Sequence, residues 1–376
     1  MISENEATRS DNGNTICFVA LGAYPILTGK NSGFVGGPSV QQVFLAAELH
    51  RHNNKIIFIT YGNDEKKIEC FGDYKIIKVY KREDTSNLSF FTKIWYIWSA
   101  MKIAKADCYI HRSGAAGVVS LYCMIYRKKF VRYISSDAEV NNKNINILNY
   151  FDKLGNWLDF KLANIIIAQS EFQQKMIKQN FGKDCDIIKT AFPLPILTQK
   201  NKDNSPIILW VSTIREIKQP ELFLKLAKSI PEGKFQMIGG IDDSNPAFYE
   251  YIKKESQKIS NLQFIGFVPF SEINSYFETS SIFVNTSKYE GFPNAFIQAW
   301  MNKVPTISLN VDPDSIICNN KMGFHSKTFD QLVIDVKTLL DNSRLLDEMS
   351  ENAYRYVEKE HNIVNVMKKN FHIFIR

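Results

Sequence analysis

The segments Ser281-Ile-Phe-Val-Asn285 and Tyr289-Glu-Gly-Phe-Pro-Asn-Ala-Phe-Ile-Gln298 predict an apolar strand that turns sharply into a helix. Gly291 supplies the turn, and we expect Pro293 to open the helix. Proline suits a first helical turn because its fixed φ and missing N–H cost nothing there. A strand, a tight turn and a helix in this order are typical of an α/β sheet with ligands at its strand ends.

The same segment carries groups that could hold a polar ligand. Free amides on Gly291, Phe292 and Asn294 would lie at the positive end of the helix dipole, which suits a phosphate or a sugar oxygen. The neighbouring Glu290 can accept hydrogen bonds from hydroxyl groups. The pattern favours a site for a ligand that is both phosphorylated and polyhydroxylated, such as a nucleotide sugar. A helix that is merely capped after a buried strand remains the alternative.

Short strands alternate with helices along the whole chain, and the pattern restarts once. At 376 residues, the chain exceeds what a single core usually supports. We therefore predict an α/β fold with two doubly wound, Rossmann-like domains that face each other across a cleft. The first covers residues 15–190 and the second 205–355, with a polar, proline-containing linker over 191–204. Residues 356–376 are predicted to form a C-terminal helix that packs back on the first domain.

Two cations lie in the loop that follows the predicted strand Ile207–Val211. Arg215 and Lys218 are placed at the end of that strand, before an amphipathic helix. Open α/β sheets bind ligands at this edge, and paired cations there could neutralise a diphosphate leaving group. A solvated helix start is the simpler interpretation of the same residues.

Two glycines follow the first predicted strand and open a helix. Gly36 and Gly37 would let the backbone approach a ligand closely, with helix amides facing it. The spacing is not the Gly-x-Gly-x-x-Gly fingerprint of dinucleotide-binding proteins, so it argues against a dehydrogenase. An ordinary turn remains the alternative.

Residues 289–308 resemble the donor-binding motif of the family-4 retaining glycosyltransferases, also grouped as glycosyl transferases group 1, which have the GT-B fold. That motif has two glutamates separated by seven residues and then a small-residue strand. Glu290 matches the first glutamate, Gln298 stands at the second, and Val304–Ser308 matches the strand. The resemblance implies that Glu290 lies near the donor sugar. It also implies that Gln298 approaches the ribose hydroxyls with its hydrogen-bonding amide but without the charge.

The resemblance extends to the other candidate residues. It implies that Arg215 and Lys218 hold the donor diphosphate, and that the loop of Gly36 and Gly37 touches it from across the cleft. The first domain would then bind the acceptor and the second domain the nucleotide sugar. The implied reaction transfers a hexose or related sugar with retention at the anomeric carbon. It needs no metal and no cofactor, and a phosphate oxygen of the leaving diphosphate helps to deprotonate the acceptor.

The strand near Phe130–Ile134 ends in Ser135-Ser136-Asp137. In the resembling family, this strand often ends in a histidine or aspartate near the transferred sugar, so we assign that position to Asp137. Its carboxylate could orient the acceptor hydroxyl or take its proton. A helix N-cap is the alternative. His111 and Arg112 end another strand at the same edge, where they could contact a substrate or serve only the structure.

The excess positive charge lies in the first half of the chain. Residues 1–190 contain 25 Lys and Arg against 18 Asp and Glu, whereas the remainder contains 21 of each. A one-sided basic surface suggests an anionic partner. Because no nucleic-acid-binding motif accompanies the charge, we expect an anionic membrane surface and no nucleic acid.

The helix predicted over Phe90–Lys105 has two open interpretations. Its apolar residues recur at helical spacing, and its lysines lie elsewhere around it. Basic, aromatic helices can lie on an anionic bilayer. Such a stripe can equally be a core face. The residues of the stripe are Phe91, Ile94, Trp95, Trp98 and Met101.

Cysteine usage and hydropathy bound the location of the protein. The six cysteines form no Cys-x-x-Cys pair, which argues against a zinc site or a disulfide framework and fits a reducing cytosol. The sequence has no apolar stretch of about 18 residues, the length that spans a bilayer. We expect a cytoplasmic enzyme, peripheral at the inner face of the membrane, that acts on a lipid-linked or surface-polysaccharide acceptor.

Two other functions remain open on the sequence. One is a non-catalytic nucleotide-sugar-binding relative that serves as an assembly partner, which Gln298 and the serine, Ser136, at the family's histidine position favour. The other is a nucleotide-sugar epimerase of the same fold, which would need more carboxylates in the cleft.

Overall fold

We analysed a computed structural model, which describes residues 13–29, 37–62, 66–112, 117–140, 150–195, 206–242 and 245–375. The chain forms two α/β domains, each built on a largely or wholly parallel sheet, and this confirms the predicted fold class. Most strands are buried along their length because helices cover both faces of each sheet.

The first sheet has eight strands in the order β3-β4-β2-β1-β5-β6-β7-β8, and only β3 runs antiparallel to its neighbour. The sequence did not predict β3, a short and largely exposed edge strand. The strands are β1 Thr15–Val19, β2 Lys55–Gly62, β3 Ile68–Phe71, β4 Tyr74–Lys81, β5 Cys108–His111, β6 Lys129–Tyr133, β7 Ile165–Ala168 and β8 Asp186–Ile187.

The described part of the first domain contains six helices. On one face of the sheet, α3 packs against α4 and α4 against α5. The six helices are α1 Tyr24–Thr28, α2 Gly37–Arg51, α3 Phe90–Ala104, α4 Val118–Ile125, α5 Tyr150–Leu162 and α6 Glu171–Phe181. The α5 helix is described from Tyr150 onward, and residues 141–149 lie outside the described part.

The second sheet has six strands, all parallel, in the order β11-β10-β9-β12-β13-β14. The sequence missed β14, which has only three residues. The strands are β9 Ile207–Val211, β10 Lys234–Ile238, β11 Leu262–Gly266, β12 Ile282–Asn285, β13 Thr306–Ser308 and β14 Gly323–His325.

The helices that follow complete the second domain and then return to the first. The last, α14, packs against α2, and its apolar residues join the core around β1. The helices are α7 Pro220–Ser229, α8 Pro246–Ser256, α9 Ile273–Thr279, α10 Asn294–Met301, α11 Ile316–Asn319, α12 Phe329–Asp341, α13 Ser343–Glu360 and α14 Ile363–Ile375.

The start of the predicted linker is packed rather than free. Phe192 is fully buried, pairs with Asn362 in an isolated bridge and stacks edge-on with Phe44 of α2, with ring centroids 5.1 Å apart. Residues 196–205 lie outside the described part. The segment that leaves the first domain and the segment that returns to it therefore run side by side.

Candidate active site

Glu290 and Lys218 form an ion pair at the carboxyl edge of the second sheet. The Lys218 ammonium donates a hydrogen bond to Glu290 Oε1, and the Ser287 hydroxyl donates to the same oxygen at 2.7 Å. The Thr286 hydroxyl donates to the Lys218 carbonyl oxygen at 2.7 Å, which ties the loop after β9 to the loop after β12. The sequence-predicted carboxylate and cation are therefore in direct contact.

Arg215 lies in the same loop and contacts a different carboxylate. Its Nε is 2.8 Å from Asp242 Oδ2, just beyond the end of β10. A short 3₁₀ turn, Glu216–Lys218, follows Arg215 and contains Lys218, and the two cations contact carboxylates that follow different strands, β10 and β12. The loop holds two cations, each balanced by one carboxylate.

The Gly291 loop, which follows β12 in the second domain, touches the first domain at Gly291. A Cβ on Gly291 would lie 3.3 Å from Ser136 Cα and 3.5 Å from both the Ser135 carbonyl oxygen and Gln173 Nε2. A larger residue would have to push these groups apart. The two domains therefore meet where the sequence predicted donor and acceptor sites.

Asp137 lies at this junction. Its Oδ1 accepts a hydrogen bond from Gln173 Nε2 at 2.9 Å. The helix cap is Ser136, whose side chain bonds the third residue of a 3₁₀ turn while Glu139 bonds back, so Asp137 itself is not the cap. Burial raises the pKa of Asp137, and the nearby carboxylates of Asp314 and Glu139 raise it further, against the lowering effect of Gln173. A raised pKa is typical of carboxyls that exchange protons.

A buried charge network supports this loop. Both Glu139 oxygens are occupied: one accepts from Arg132, and the other accepts from the Ser135 and Ser136 amides at 3.0 Å each. Arg132 Nε also lies 3.7 Å from Asp159 Oδ2. Breaking such a buried pair costs about 3–5 kcal/mol, so the loop that carries Asp137 is held firmly.

His111 belongs to the same network. It is fully buried, and its Nδ1 lies 3.6 Å from Asp159 Oδ2. Burial alone would raise the pKa of Asp159, but the nearby His111 and Arg132 lower it. This arrangement favours the structural interpretation of His111 that the sequence left open.

The amino ends of helices α2 and α10 meet across the cleft. Asn294 Nδ2 donates to the Gly37 carbonyl oxygen at 3.1 Å, and Gln41 Nε2 donates to Asn294 Oδ1 at 3.3 Å. A Cβ on Gly37 would lie 2.9 Å from Asn294 Nδ2, so glycine permits the approach. Gly36, the other predicted glycine, lies outside the described residues.

Three further predicted residues lie on the Gly291 loop and on α10, the helix that follows it. Pro293 precedes the helix instead of opening it, with φ −66° and ψ 124°, because α10 begins at Asn294. Phe292 packs on Trp300, with ring centroids 6.2 Å apart. Gln298 is only 6% exposed, on the buried side of α10. The prediction that Pro293 opens the helix is wrong by one residue.

His361 contacts both the Gly291 loop and the segment that passes from the first domain to the second. Its ring lies 5.0 Å from that of Phe292, and its Nδ1 is 2.5 Å from the Thr190 carbonyl oxygen. Complete burial lowers its pKa to about 4, and nearby Lys189 adds to the lowering, although the Thr190 bond opposes it. The folded protein thus keeps His361 neutral at pH values where a free histidine is protonated.

Acidification is expected to destabilise the protein through His361. Between pH 6.5 and about 4, the unfolded chain binds a proton at His361 that the folded chain does not. The free energy of unfolding should therefore decrease as the pH is lowered through this range, by up to about 1.4 kcal/mol per pH unit from this group. Denaturant unfolding at several pH values should show a weaker pH dependence for His361→Gln than for the wild type. The exposed His372→Gln serves as the control, and equal slopes for His361→Gln and wild type would contradict the assignment.

Helices α3, α4 and α5 present exposed apolar side chains on one face of the first domain. On α3, Phe91 is 77% exposed and Trp95 is 61% exposed, whereas Met101 is buried. The core interpretation of the α3 stripe is therefore wrong for Phe91 and Trp95. Exposed apolar residues on the neighbouring helices are Met124, Ile125, Leu154 and Trp157. In the described part of the chain, no helix is long and apolar enough to cross a bilayer.

Several residues of the site were not predicted. Gln173, which links Asp137 to the Gly291 loop, lies on α6 far along the chain from both. Asp242 was missed in the same way, since only the fold brings it to Arg215. Ser287 is three residues before Glu290, but serine near a turn is too common to signal a role. Within the described ranges, no group of three or more His, Cys, Asp or Glu could hold a metal ion.

Comparisons with known proteins agree with this architecture. Residues 196–356 match the family model described as Glycosyl transferases group 1. A relative from Haemophilus influenzae, named an uncharacterized glycosyltransferase, is 21% identical over 350 residues, which cover 90% of this chain and 96% of the relative. The matched segment contains the second sheet and the Gly291 loop.

Solved structures match the fold over nearly the whole chain. Sucrose-phosphate synthase from Thermosynechococcus elongatus superposes with a TM-score of 0.80 at 15% identity, covering 96% of this chain and 98% of that one. HepE from Anabaena, in complex with UDP-glucose, gives 0.73 at 13% identity, covering 96% and 99%. The GT-B fold is confirmed, and the family match and the relative support a glycosyltransferase.

Proposed function

We propose that the chain is a metal-independent, retaining glycosyltransferase of family 4 that takes its sugar from a nucleoside diphosphate sugar. The observation that carries the proposal is the pairing of Glu290 with Lys218, beside Arg215, at the domain junction. A cationic loop suits the diphosphate, and a carboxylate beside it suits the sugar hydroxyls. HepE was solved with UDP-glucose, so a UDP-sugar is the first donor to test.

In this proposal, the donor diphosphate lies between Arg215, Lys218 and the amino end of α10. Phosphate oxygens compete with Asp242 and Glu290 for the two cations. Glu290, released in part from Lys218, accepts hydrogen bonds from the donor sugar. Gln298 contributes amide hydrogen bonds toward the ribose, and the loop of Gly36 and Gly37 closes from the first domain.

The reaction then balances without a metal. The bond between the anomeric carbon and the phosphate oxygen breaks, and its electron pair leaves on the diphosphate, which Arg215 and Lys218 stabilise. The acceptor oxygen bonds to the anomeric carbon from the same face, and its proton passes to the departing phosphate oxygen. Asp137 orients the acceptor hydroxyl from the first domain.

A ligand screen tests the donor assignment. Thermal shift with UDP-, GDP- and ADP-sugars should single out one nucleotide, and excess ligand at 100 times its Kd should stabilise the protein by about 2.7 kcal/mol. Lys218→Ala should lose most of the shift, whereas Lys258→Ala, in the exposed turn just after α8, should keep it. No shift with any nucleotide would contradict the proposal.

The acceptor in this proposal is a lipid-linked or surface-polysaccharide intermediate, reached at the inner face of an anionic membrane. The exposed aromatic residues of α3, with Lys93 and Lys102 on the same helix, support that location. Each basic residue near an anionic surface contributes on the order of 1 kcal/mol, and salt screens this attraction. Attachment should therefore be reversible.

The full chain is expected to co-sediment with anionic phospholipid vesicles at low salt and to dissociate as salt rises. Phe91→Ser combined with Trp95→Ser should leave the protein in the supernatant, because these side chains would enter the interface. Tyr251→Ser, an exposed aromatic on the second domain, is the matched control. Unchanged pelleting of the double variant, or none for wild type at any salt, would contradict membrane attachment through α3.

A further inference from the structure

Arg112 is a buried cation whose hydrogen-bonding capacity is not used. Arg112 directly follows the last residue of β5 and is 2% exposed. Two of its nitrogens, Nε and Nη1, are buried without a hydrogen-bond partner. Unpaired charged donors in a protein interior are costly to desolvate, so an unpaired buried guanidinium calls for a specific explanation.

The neighbouring groups cannot supply the missing partner. The nearest strand places Tyr133 under the guanidinium, with Arg112 Cζ 4.3 Å from the ring centroid. The Tyr133 hydroxyl already donates to the Ile188 carbonyl oxygen at 3.0 Å, and burial raises the pKa of Tyr133, so the phenol stays neutral. Tyr133 is a fixed stacking platform for Arg112, not a counterion.

The neighbouring carboxylate is also committed. Glu139 lies near enough to act on the charge of Arg112, but its oxygens are held by Arg132 and by the Ser135 and Ser136 amides. Arg132 in turn donates to the Arg112 carbonyl oxygen at 2.9 Å, which fixes the backbone there. Over the described residues, Arg112 forms no ion pair with any carboxylate.

Arg112 is placed on the acceptor side of the proposed site. Strand β5, which ends just before it, pairs with β6, and β6 leads into Ser135, Ser136 and Asp137. The donor diphosphate has its own cations, Arg215 and Lys218, in the other domain. A guanidinium in the first domain is therefore surplus to donor binding.

We infer that Arg112 and the Tyr133 platform form an oxyanion subsite for the acceptor, which takes a phosphate or carboxylate group of that substrate. The planar guanidinium fork matches both oxyanions in two-point hydrogen bonding. This inference rests on the proposed function, and it restricts the acceptor to an anionic one. An uncharged sugar chain would leave Arg112 unpaired.

The test measures anion binding while the donor clamp is occupied. With UDP saturating, inorganic phosphate and D-glucuronate are titrated separately, and D-glucose is the uncharged probe. Arg112→Gln should weaken binding of the preferred anion about tenfold or more, since a hydrogen bond to a charged group contributes about 1.5–3 kcal/mol. Arg112→Lys keeps the positive charge without the guanidinium fork, so its anion affinity should lie between those of the wild type and Arg112→Gln. Arg355→Gln, at an exposed arginine of α13, controls for general charge effects.

The outcomes separate the two claims. UDP affinity that is equal in wild type and Arg112→Gln shows that the variant is folded, and a phosphate or a glucuronate response that depends on Arg112 identifies the class of acceptor group. Binding of both anions that is unchanged in Arg112→Gln, or no binding of either to wild type, overturns the subsite. Failure of wild type to bind UDP, GDP or ADP instead overturns the proposed function.

Discussion

Replacing Glu290 by alanine is expected to reduce sugar transfer by about 10²–10³-fold while the protein stays folded. The carboxylate accepts from Lys218 and Ser287 in loops at the sheet edge, outside the hydrophobic core, so its loss should not unfold the protein. Removing one group that stabilises charge in a transition state typically costs this much. Turnover of labelled donor and the unfolding midpoint, measured together, check the two parts of the expectation.

The matched control is Glu255→Ala, which removes an equivalent carboxylate from a lysine pair on the exposed helix α8. It should leave turnover unchanged. Glu290→Gln keeps the size of the side chain and loses the charge, so it should resemble the alanine variant in turnover. A Glu290→Ala enzyme that transfers sugar at the wild-type rate would remove this residue from the site.

Arg215→Ala and Lys218→Ala are each expected to cut turnover by about 10²-fold or more. Both cations lie within one loop, and a leaving diphosphate needs their charge more as its bond to the sugar breaks. The loss should appear in kcat as well as in donor affinity, because the stabilised charge develops in the transition state. Initial-rate assays over a range of donor concentrations separate the effect on kcat from the effect on donor affinity.

Lys258→Ala, just after α8 and paired with Glu255, is the control for loss of a cation. Asp242→Ala adds a diagnostic, because it frees Arg215 without removing it and should cost less than Arg215→Ala. If Arg215→Ala and Lys218→Ala both turn over normally, the diphosphate clamp is assigned to the wrong residues.

The fold could be predicted from the sequence because its strands are continuous apolar runs between helical patterns. β9 has the predicted bounds, Ile207–Val211, since a buried parallel strand leaves a clear apolar signal. Strand β3 was missed because it is a short, exposed edge strand, and β14 because three residues show no period. These failures follow from length and exposure.

The site was only partly readable from the sequence. Glu290 and Lys218 could be chosen because each follows a strand at the ligand-binding edge. Their direct contact could not be foreseen, since it depends on how two loops pack. Gln173 reaches Asp137 only through the tertiary fold. The exposure of Phe91 and Trp95 was equally beyond the sequence, because helical spacing gives a face but not what covers it.

Transfer of a radiolabelled sugar from a nucleoside diphosphate donor tests the central claim most directly. Wild-type protein with the donor chosen by the ligand screen should release the nucleotide and label an extract that contains lipid-linked and polysaccharide acceptors. The label should keep the anomeric configuration of the donor, and Glu290→Ala should label almost nothing. Donor that is bound but never consumed would indicate a non-catalytic binding protein, and conversion of the donor sugar without transfer would indicate an epimerase. Either result, or an inverted product, would contradict the account.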